Sequence, residues 1–323
     1  MTIQEIYDLA LKLGMKADPR GEVGVKRYLA RMKKEYEALP KDDKEYFEKT
    51  KLVDPYADSF IHFVANAKIP VKRVLAGIDI DSGEIFLADR LNERGKKIDL
   101  VIGHHPIGRA LVDLAEVMDL QVEVLESYGV PTHVAENLMQ ERMSQVDRGI
   151  HVGNQYQVVD IARLLGISVI NTHTLTDNLV EEYLNGLVKA RKPHTVGDVL
   201  KILDEQPEYQ QAKREGTGPK LLFGRPSNRA GKVMTEMTGG TNPGDRMYEE
   251  LSKAGVSTII SMHLNEKSLE LAKKSFMNVI IAGHMSSDSL GMNLFLDELE
   301  QKGIEIVPCS GLMRASRTKK GKK

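Results

Sequence analysis

The chain has 323 residues, and its shares of 41% hydrophobic and 28% charged residues are ordinary for a globular protein with one large or two modest domains. Its 45 basic and 46 acidic residues nearly cancel, so nucleic acid and anionic membranes are not expected as general partners. The single cysteine, Cys309, excludes an internal disulfide, and the lack of a long apolar run or signal peptide predicts a soluble, cytoplasmic protein.

The first part of the chain carries two helical patterns. Thr2 and Glu5 form a capping-box pattern ahead of apolar residues at helical spacing, and a second apolar stripe runs from Val25 to Leu39. The opposite face of this second stripe is basic, which is typical of a solvated helix face, although such a face could also bind phosphate. Residues 1–70 are therefore predicted to form an N-terminal helical segment.

From Val74 onward, short runs rich in Val and Ile alternate with helical patterns. This alternation predicts a three-layer α/β core over residues 71–313, with a helical insertion near 110–150 and a helical linker near 178–216. The last stretch, 314–323, is basic and rich in small residues, and it is predicted to be a disordered tail.

Five of the nine histidines stand at the ends of predicted strands. They follow the apolar runs DLVIG, ISVINT, STIISM and NVIIAG, and they are His104, His105, His173, His263 and His284. The loops that leave the carboxyl ends of strands form the ligand-binding crevice of α/β sheets. A lone histidine there is more often structural, but five at one edge favour a metal or catalytic site.

Two of these histidines begin the pattern His-x-x-x-Asp, in the segments HTLTD (His173 to Asp177) and HMSSD (His284 to Asp288). Together with the adjacent pair of histidines in VIGHHP, they offer imidazoles and carboxylates that suit zinc, manganese, iron or nickel. Neighbouring residues of an extended chain point to opposite sides, so that adjacent pair is expected to hold two ions, one each.

The glycine-rich segment TGGTNPGD, Thr238 to Asp245, has two interpretations. It could hold a phosphate on backbone N–H groups at the start of the next helix, or it could be a tight turn capped by Asn242 or Asp245. It is not a P-loop, because no Gly-Lys-Ser/Thr follows it. The serine-hydrolase pattern G-x-S-x-G and the zinc-protease pattern H-E-x-x-H do not occur in the sequence.

These motifs resemble the family called GTP cyclohydrolase 1 type 2 homologs, or Ngg-one-interacting factor three-like proteins. The resemblance runs from about Val74 to Met313 and rests on VIGHHP, HTLTDN, MTGG and IIAGHMSSD in this order. It implies a pair of intertwined α/β units with mixed sheets, and a dinuclear metal centre at the mouth of a ring-shaped homo-oligomer such as a hexamer. The family's metal ligands fall on His104, His105, Asp177, His284 and Asp288.

The sequence departs from the family pattern at three places. The last ligand is usually glutamate, whereas this chain has the shorter Asp288. His263 stands where an acidic residue is common, and the stretch between His105 and His173 is longer than usual. His173 and His263 are candidates for proton transfer or for orienting the metal ligands.

These features predict a divalent-metal-binding protein, and more specifically a dinuclear metal-dependent hydrolase of a small nucleotide-like or phosphoester substrate. The alternative is a non-catalytic regulatory or scaffold protein that senses a metal or a nucleotide. Five side chains around two ions leave coordination positions open, and open positions favour catalysis over a purely structural metal site.

Overall fold

The structure is a computed structural model that describes residues 1–318. Within this range the chain is an α/β protein in which strands and helices interleave. The strands are β1 (Ser59–Phe63), β2 (Arg73–Gly77), β3 (Leu100–Gly103), β4 (Val169–Thr172), β5 (Lys220–Phe223), β6 (Lys232–Glu236), β7 (Val256–Ser261), β8 (Asn278–Ile281) and β9 (Glu305–Pro308). The longer helices of the first half are α1 (Ile3–Ala17), α2 (Gly21–Ala38), α3 (Ser82–Glu93), α6 (Leu120–Ser127), α7 (Thr132–Ile150), α8 (Gln157–Leu165) and α9 (His173–Arg191).

The remaining helices complete this alternation. Short helices α4 (Gly108–Val112) and α5 (Leu114–Val117) precede α6, and two 3-10 turns follow α2 at Asp43–Glu45 and Lys49–Leu52. The helices after α9 are α10 (Val196–Asp204), α11 (Pro207–Arg214), α12 (Met247–Lys253), α13 (Glu266–Lys274) and α14 (His284–Gln301).

The strands form two mixed sheets. The five-stranded sheet has the order β1-β4-β3-β2-β9, with β1 antiparallel to β4 and the other pairs parallel. The four-stranded sheet has the order β5-β8-β7-β6, with β5 antiparallel to β8 and the other pairs parallel. Because β9 returns to the first sheet after the second sheet is complete, the two α/β units are intertwined, as the family resemblance implied.

Both sheets share one apolar core. Strands β3 and β4 are buried along their whole length, as expected of central parallel strands rich in Val and Ile. A single cluster of buried side chains contains Val74 and Ile170 of the first sheet, Ile259 and Val279 of the second, and Phe295 of α14. Each such side chain contributes about 1.5–3 kcal/mol when it leaves water, so this cluster holds the two sheets together.

The N-terminal segment begins as predicted and then departs from a purely helical form. At the start of α1, the Thr2 hydroxyl accepts from the Glu5 backbone N–H at 3.2 Å, and the Glu5 carboxylate accepts from the Thr2 backbone N–H at 2.8 Å. Residues 59–63, which lie inside the predicted helical segment, instead form edge strand β1, which carries Phe60, Ile61 and Phe63. The first part of the chain therefore enters the first sheet.

The beginning of the predicted tail lies against helices. Arg317 forms an ion pair with the buried Glu208 of α11 at 2.6 Å, and Arg314 pairs with Glu300 of α14 at 2.8 Å. Residues 319–323 of that predicted tail lie outside the described residues.

None of the helices within residues 1–318 combines the length and apolar character that a membrane span requires.

Candidate metal centre

The five histidines come from both sheets and not from one edge of a single sheet. His104 and His105 follow β3, and His173 begins α9 directly after β4, all in the first unit. His263 follows β7, and His284 begins α14 after β8, in the second unit. The five side chains nevertheless lie close together, because the carboxyl ends of the two sheets face each other, so the expectation of a single sheet edge was wrong.

Helices α9 and α14 bring two carboxylates together at this junction. Each helix starts with a histidine and carries an aspartate one turn later, at Asp177 and Asp288, so histidine and carboxylate lie on the same face of each helix. The two helices cross closely at Gly291. A Cβ atom on Gly291 would lie 3.0 Å from the carbonyl carbon of Thr176, so only glycine permits this approach.

The donor atoms converge on Asp288. Its Oδ1 lies 3.6 Å from Nε2 of His104, whereas its Oδ2 lies 3.3 Å from Nε2 of His105 and 3.4 Å from Nε2 of His284. Asp177 Oδ1 lies 3.4 Å from the same His104 nitrogen. Two ligands held ~2.1 Å from one tetrahedral ion would be roughly 3.4 Å apart, so these separations match those around a metal ion.

Four buried atoms of this cluster lack a hydrogen-bond partner among the described residues. They are His104 Nε2, Asp177 Oδ1 and both carboxylate oxygens of Asp288. The separations above are ion-pair distances that are too long or too poorly aligned for hydrogen bonds. A buried polar atom without a partner costs about 1–3 kcal/mol, and coordination to divalent cations would satisfy these four atoms. The residues present therefore fit a divalent metal ion.

Three sets of donor atoms lie close enough to share an ion. Within each set, all donor atoms lie within 4.8 Å of one another. The sets are His104, His105 and His173; His105, His284 and Asp288; and His104, Asp177 and Asp288. All five predicted ligands belong to at least one set, and His173, which was predicted as a proton-transfer or orienting residue, also belongs to one.

Hydrogen bonds at the other ring nitrogen orient three of these imidazoles toward the cluster. In each case Nδ1 is occupied, so Nε2 faces the other donors. The pairs are His104 with the Thr176 hydroxyl at 2.9 Å, His105 with Asp79 at 2.7 Å, and His173 with Asp58 at 2.7 Å. A carboxylate that accepts from the other ring nitrogen, as Asp79 and Asp58 can, is a usual partner of a metal-ligating imidazole.

Sequence reasoning missed these three orienting partners. Asp79 follows β2 at the same sheet edge as the histidines, and this position is a signal that could have identified it. Thr176 lies inside the HTLTD motif. Asp58 carried no such signal, because it lies in the segment 1–70 that was predicted to be helical.

Burial and mutual repulsion shift the protonation of the cluster. Burial lowers the pKa of His104 to about 4, so this imidazole stays neutral and keeps a lone pair for a cation. Burial also opposes protonation of His105, but Asp288 and Asp79 raise its pKa to about 8. Burial and the neighbouring charge of Asp288 raise the pKa of Asp177 well above its usual range. The surrounding imidazoles outweigh burial at Asp288 and lower its pKa.

A cavity of about 40 Å³ opens on the cluster, lined by His173, Asp177, His284, Asp288, His263 and the glycine-rich loop. The exposed His263 ring lies 4.6 Å from the ring of His284. In the loop, Asn242 donates to Glu236 at 2.5 Å and to the carbonyl oxygen of His263 at 3.1 Å. Neither Asn242 nor Asp245 caps α12, so that prediction was wrong, and the loop instead forms a wall of the cavity.

A second cleft is also lined by His284. It has a volume of about 590 Å³, and its walls come from the end of α11, the start of α14 and the segment after β9. Met285, Leu312 and Met313 form its apolar part, whereas Gln211 and Glu215 form a polar wall. A molecule bound at the cluster therefore has room to extend past His284.

Comparisons with known proteins support the sequence resemblance. No protein-family model matches the sequence, and no curated protein matches it either. A crystal structure of a NIF3 superfamily protein from Sphaerobacter thermophilus is similar, with a TM-score of 0.74 and 26% identity over 97% of this chain and 99% of that chain. Reduced HcgD from Methanocaldococcus jannaschii has a TM-score of 0.52 and 15% identity over 87% of this chain and 96% of that chain, a likeness of fold alone.

NIF3 abbreviates the Ngg-one-interacting factor three-like name, and the similarity to the Sphaerobacter protein includes the N-terminal helices as well as both sheets. The fold and the order of motifs agree with each other. The resemblance of this chain to the NIF3, or GTP cyclohydrolase 1 type 2 homolog, family is thereby confirmed.

Proposed function

We propose that this chain binds two divalent metal ions, with a donor set that suits zinc, manganese, iron or nickel. The observation that carries the proposal is the group of four buried donor atoms that lack a hydrogen-bond partner within residues 1–318. Asp288 would be shared, because its Oδ1 faces His104 and Asp177 on one side while its Oδ2 faces His105 and His284 on the other. Because each carboxylate oxygen of Asp288 has its own set of neighbouring donors, two metal positions are favoured over one.

The proposed activity is metal-dependent hydrolysis of a small nucleotide-like or phosphoester substrate. Divalent ions held by these residues would supply Lewis-acid chemistry, by polarising the scissile bond and acidifying water. The glycine-rich loop would limit how far the substrate extends on one side, and the cleft beyond His284 would accept the rest. His263 is the proposed proton-transfer residue, because it lines the cavity and is exposed to solvent that can exchange its proton.

Two further parts of the proposal concern assembly and the alternative class. The N-terminal segment, the helical insertion and the family resemblance favour a ring-shaped homo-oligomer such as a hexamer. Light scattering tests this, because a monomer at micromolar concentration would contradict it. The alternative is a regulatory or scaffold protein that binds metal or a nucleotide without turnover.

The test of the hydrolase proposal is Asp288→Asn, with Asp297→Asn as the matched control. Both aspartates lie on α14 and are buried, but Asp297 pairs with Arg314 and lies away from the cluster. Asp288→Asn removes the charge shared by both metal positions, so hydrolysis should fall by well over tenfold, whereas Asp297→Asn should change only stability. The assay compares nucleotides and phosphoesters with added manganese, zinc or nickel.

The scaffold alternative predicts a different result from the same proteins. If the fully metallated parent turns over nothing in a broad panel, and Asp288→Asn only lowers the melting temperature, the hydrolase proposal fails. Retention of full metal binding by Asp288→Asn would instead contradict the metal assignment itself.

A further inference from the structure

The N-terminal segment packs directly against the helix that carries two residues of the cluster. At Gly14 of α1, an added Cβ would lie 2.9 Å from Cα of Leu175 on α9, so the two backbones are in close contact. The carbonyl oxygen of Gly14 accepts from the Asn178 side chain at 3.1 Å and from the Tyr56 hydroxyl at 3.2 Å. Helix α1 and the loop before β1 therefore fix the position of α9.

That loop also supplies Asp58, a fully buried carboxylate. Its Oδ2 lies 2.7 Å from Nδ1 of His173 and accepts from the Thr174 hydroxyl at 2.7 Å. Its backbone carbonyl accepts from the Asn171 side chain at 2.7 Å. Within residues 1–318, His173 is the only basic side chain within 4.0 Å of this carboxylate, so a buried acidic group has been placed behind one imidazole.

We infer that Asp58 is a positioning residue of the metal centre and that His173 is a sixth metal ligand. The inference rests on the proposed metal function. By this inference, the N-terminal segment contributes to the metal centre through Asp58. This residue lies outside the part of the chain, from about Val74 to Met313, that the sequence resemblance covers.

The geometry at His173 supports a ligand and not a proton-transfer residue. With Nδ1 donating to Asp58, the lone pair of Nε2 faces the cluster, where donor atoms of His104 and His105 lie within 4.8 Å. The same nitrogen lies 3.9 Å from Asp177. His173 is only 6% exposed, whereas His263 is exposed, so His173 has far less access to solvent for proton exchange.

The physical role of Asp58 is to select one ring orientation and one tautomer of His173. A carboxylate accepts a strong hydrogen bond from Nδ1–H and makes the imidazole a better electron donor at Nε2. Loss of such a partner typically weakens metal affinity about 10–100-fold. Loss of a carboxylate that serves only the fold would leave metal affinity nearly unchanged.

Asp54 provides the matched control. It is buried in the same loop, and its carboxylate accepts from the Tyr7 hydroxyl at 2.6 Å and from the Tyr56 backbone N–H at 2.9 Å. It therefore serves the N-terminal segment in the way that Asp58 does, but it does not contact His173. The variants to compare are Asp58→Asn and Asp54→Asn.

Cobalt(II) titrations of metal-free protein, in competition with a chromophoric chelator, test the inference. Asp58→Asn should bind about 10–100-fold more weakly and change the visible cobalt spectrum, whereas Asp54→Asn should keep the affinity and spectrum of the parent. An Asp58→Asn protein that matches the parent in both would overturn the inference while leaving the metal site intact. A parent that binds no cobalt would overturn the proposed function.

A second measurement needs no variant and covers the case in which Asp58→Asn does not fold. In imidazole ¹⁵N spectra of the zinc-loaded parent, His173 should carry its proton on Nδ1 and show a metal-shifted Nε2. A proton on Nε2, or an Nε2 signal that zinc does not shift, would overturn the ligand role of His173.

Discussion

Replacing Gly291 with alanine should separate the two helices that hold the carboxylates of the candidate centre. The new Cβ would lie 3.0 Å from the carbonyl carbon of Thr176, and closer still to its oxygen. Carbon atoms of neighbouring groups prefer separations of about 3.5–4.0 Å, so α14 must move roughly 0.5–1 Å from α9. The obstacle is backbone, which cannot rotate away as a side chain would.

The cost follows from this displacement. Overpacking of a tight core contact costs about 1–3 kcal/mol, and the clash with backbone places this site near the upper end. Alanine recovers roughly 1 kcal/mol of helix propensity, which leaves a net loss of about 2 kcal/mol. Metal sites tolerate shifts of only about 0.2 Å in ligand distance, so affinity should fall at least tenfold when Asp177 and Asp288 move apart.

Gly186→Ala is the control, because it adds the same methyl group to an exposed position of α9 where nothing lies within 4 Å. It should gain about 0.5–1 kcal/mol from helix propensity and leave metal affinity unchanged. Thermal melts of the metal-free proteins and zinc competition titrations measure both quantities. The prediction fails if Gly291→Ala has the same melting temperature as Gly186→Ala and the same zinc affinity as the parent. The close contact between α9 and α14 would then not set the geometry of the centre.

Two more predictions concern metal content and pH. His105→Ala should lose about one of two metal equivalents and stay folded, as measured by elemental analysis, and full metal retention by the double variant His104→Ala, His105→Ala would contradict the site assignment. Burial raises the pKa of Asp54 to about 7, above the ~4 of an unfolded chain, so its contribution to stability is full below pH ~4 and is lost as the pH rises to 7. Asp54→Asn, which mimics the protonated form, should therefore flatten the free energy of unfolding between pH 5 and pH 8 in urea titrations, and an unchanged pH dependence would contradict the raised pKa.

The candidate ligands could be predicted from the sequence because the signals that define them are local. A histidine directly after an apolar run marks the end of a strand, and an aspartate four residues later falls on the same face of the helix that follows. The segments around His173 and His284 both carry this pattern, and both form a strand followed by a helix. The rule that carboxyl ends of parallel strands form the binding edge then groups the donors of each sheet, but it does not predict that the edges of two sheets meet.

The parts that could not be predicted depend on contacts between distant segments. The apolar run of β9 gives no indication that it joins β2 and not β8, so the division into two sheets is invisible in the sequence. Gly291 looks like an unfavourable residue in a helix until the backbone of α9 is placed beside it. Asp58 is one acidic residue among 46, and no local pattern indicates that it lies behind His173.

The centre is also where this chain departs most from the rules that favour stability. A helix interior prefers alanine to glycine, and a core prefers apolar side chains to carboxylates without partners. Gly291 contradicts the first preference, and Asp177 and Asp288 contradict the second. The apolar core that both sheets share follows the preference for apolar side chains. Local violations in an otherwise consistent fold are expected at functional sites, where the cost is balanced by a ligand. Within residues 1–318, the carboxylate oxygens without hydrogen-bond partners and the tight helix crossing are both accounted for by the proposed metal site between α9 and α14.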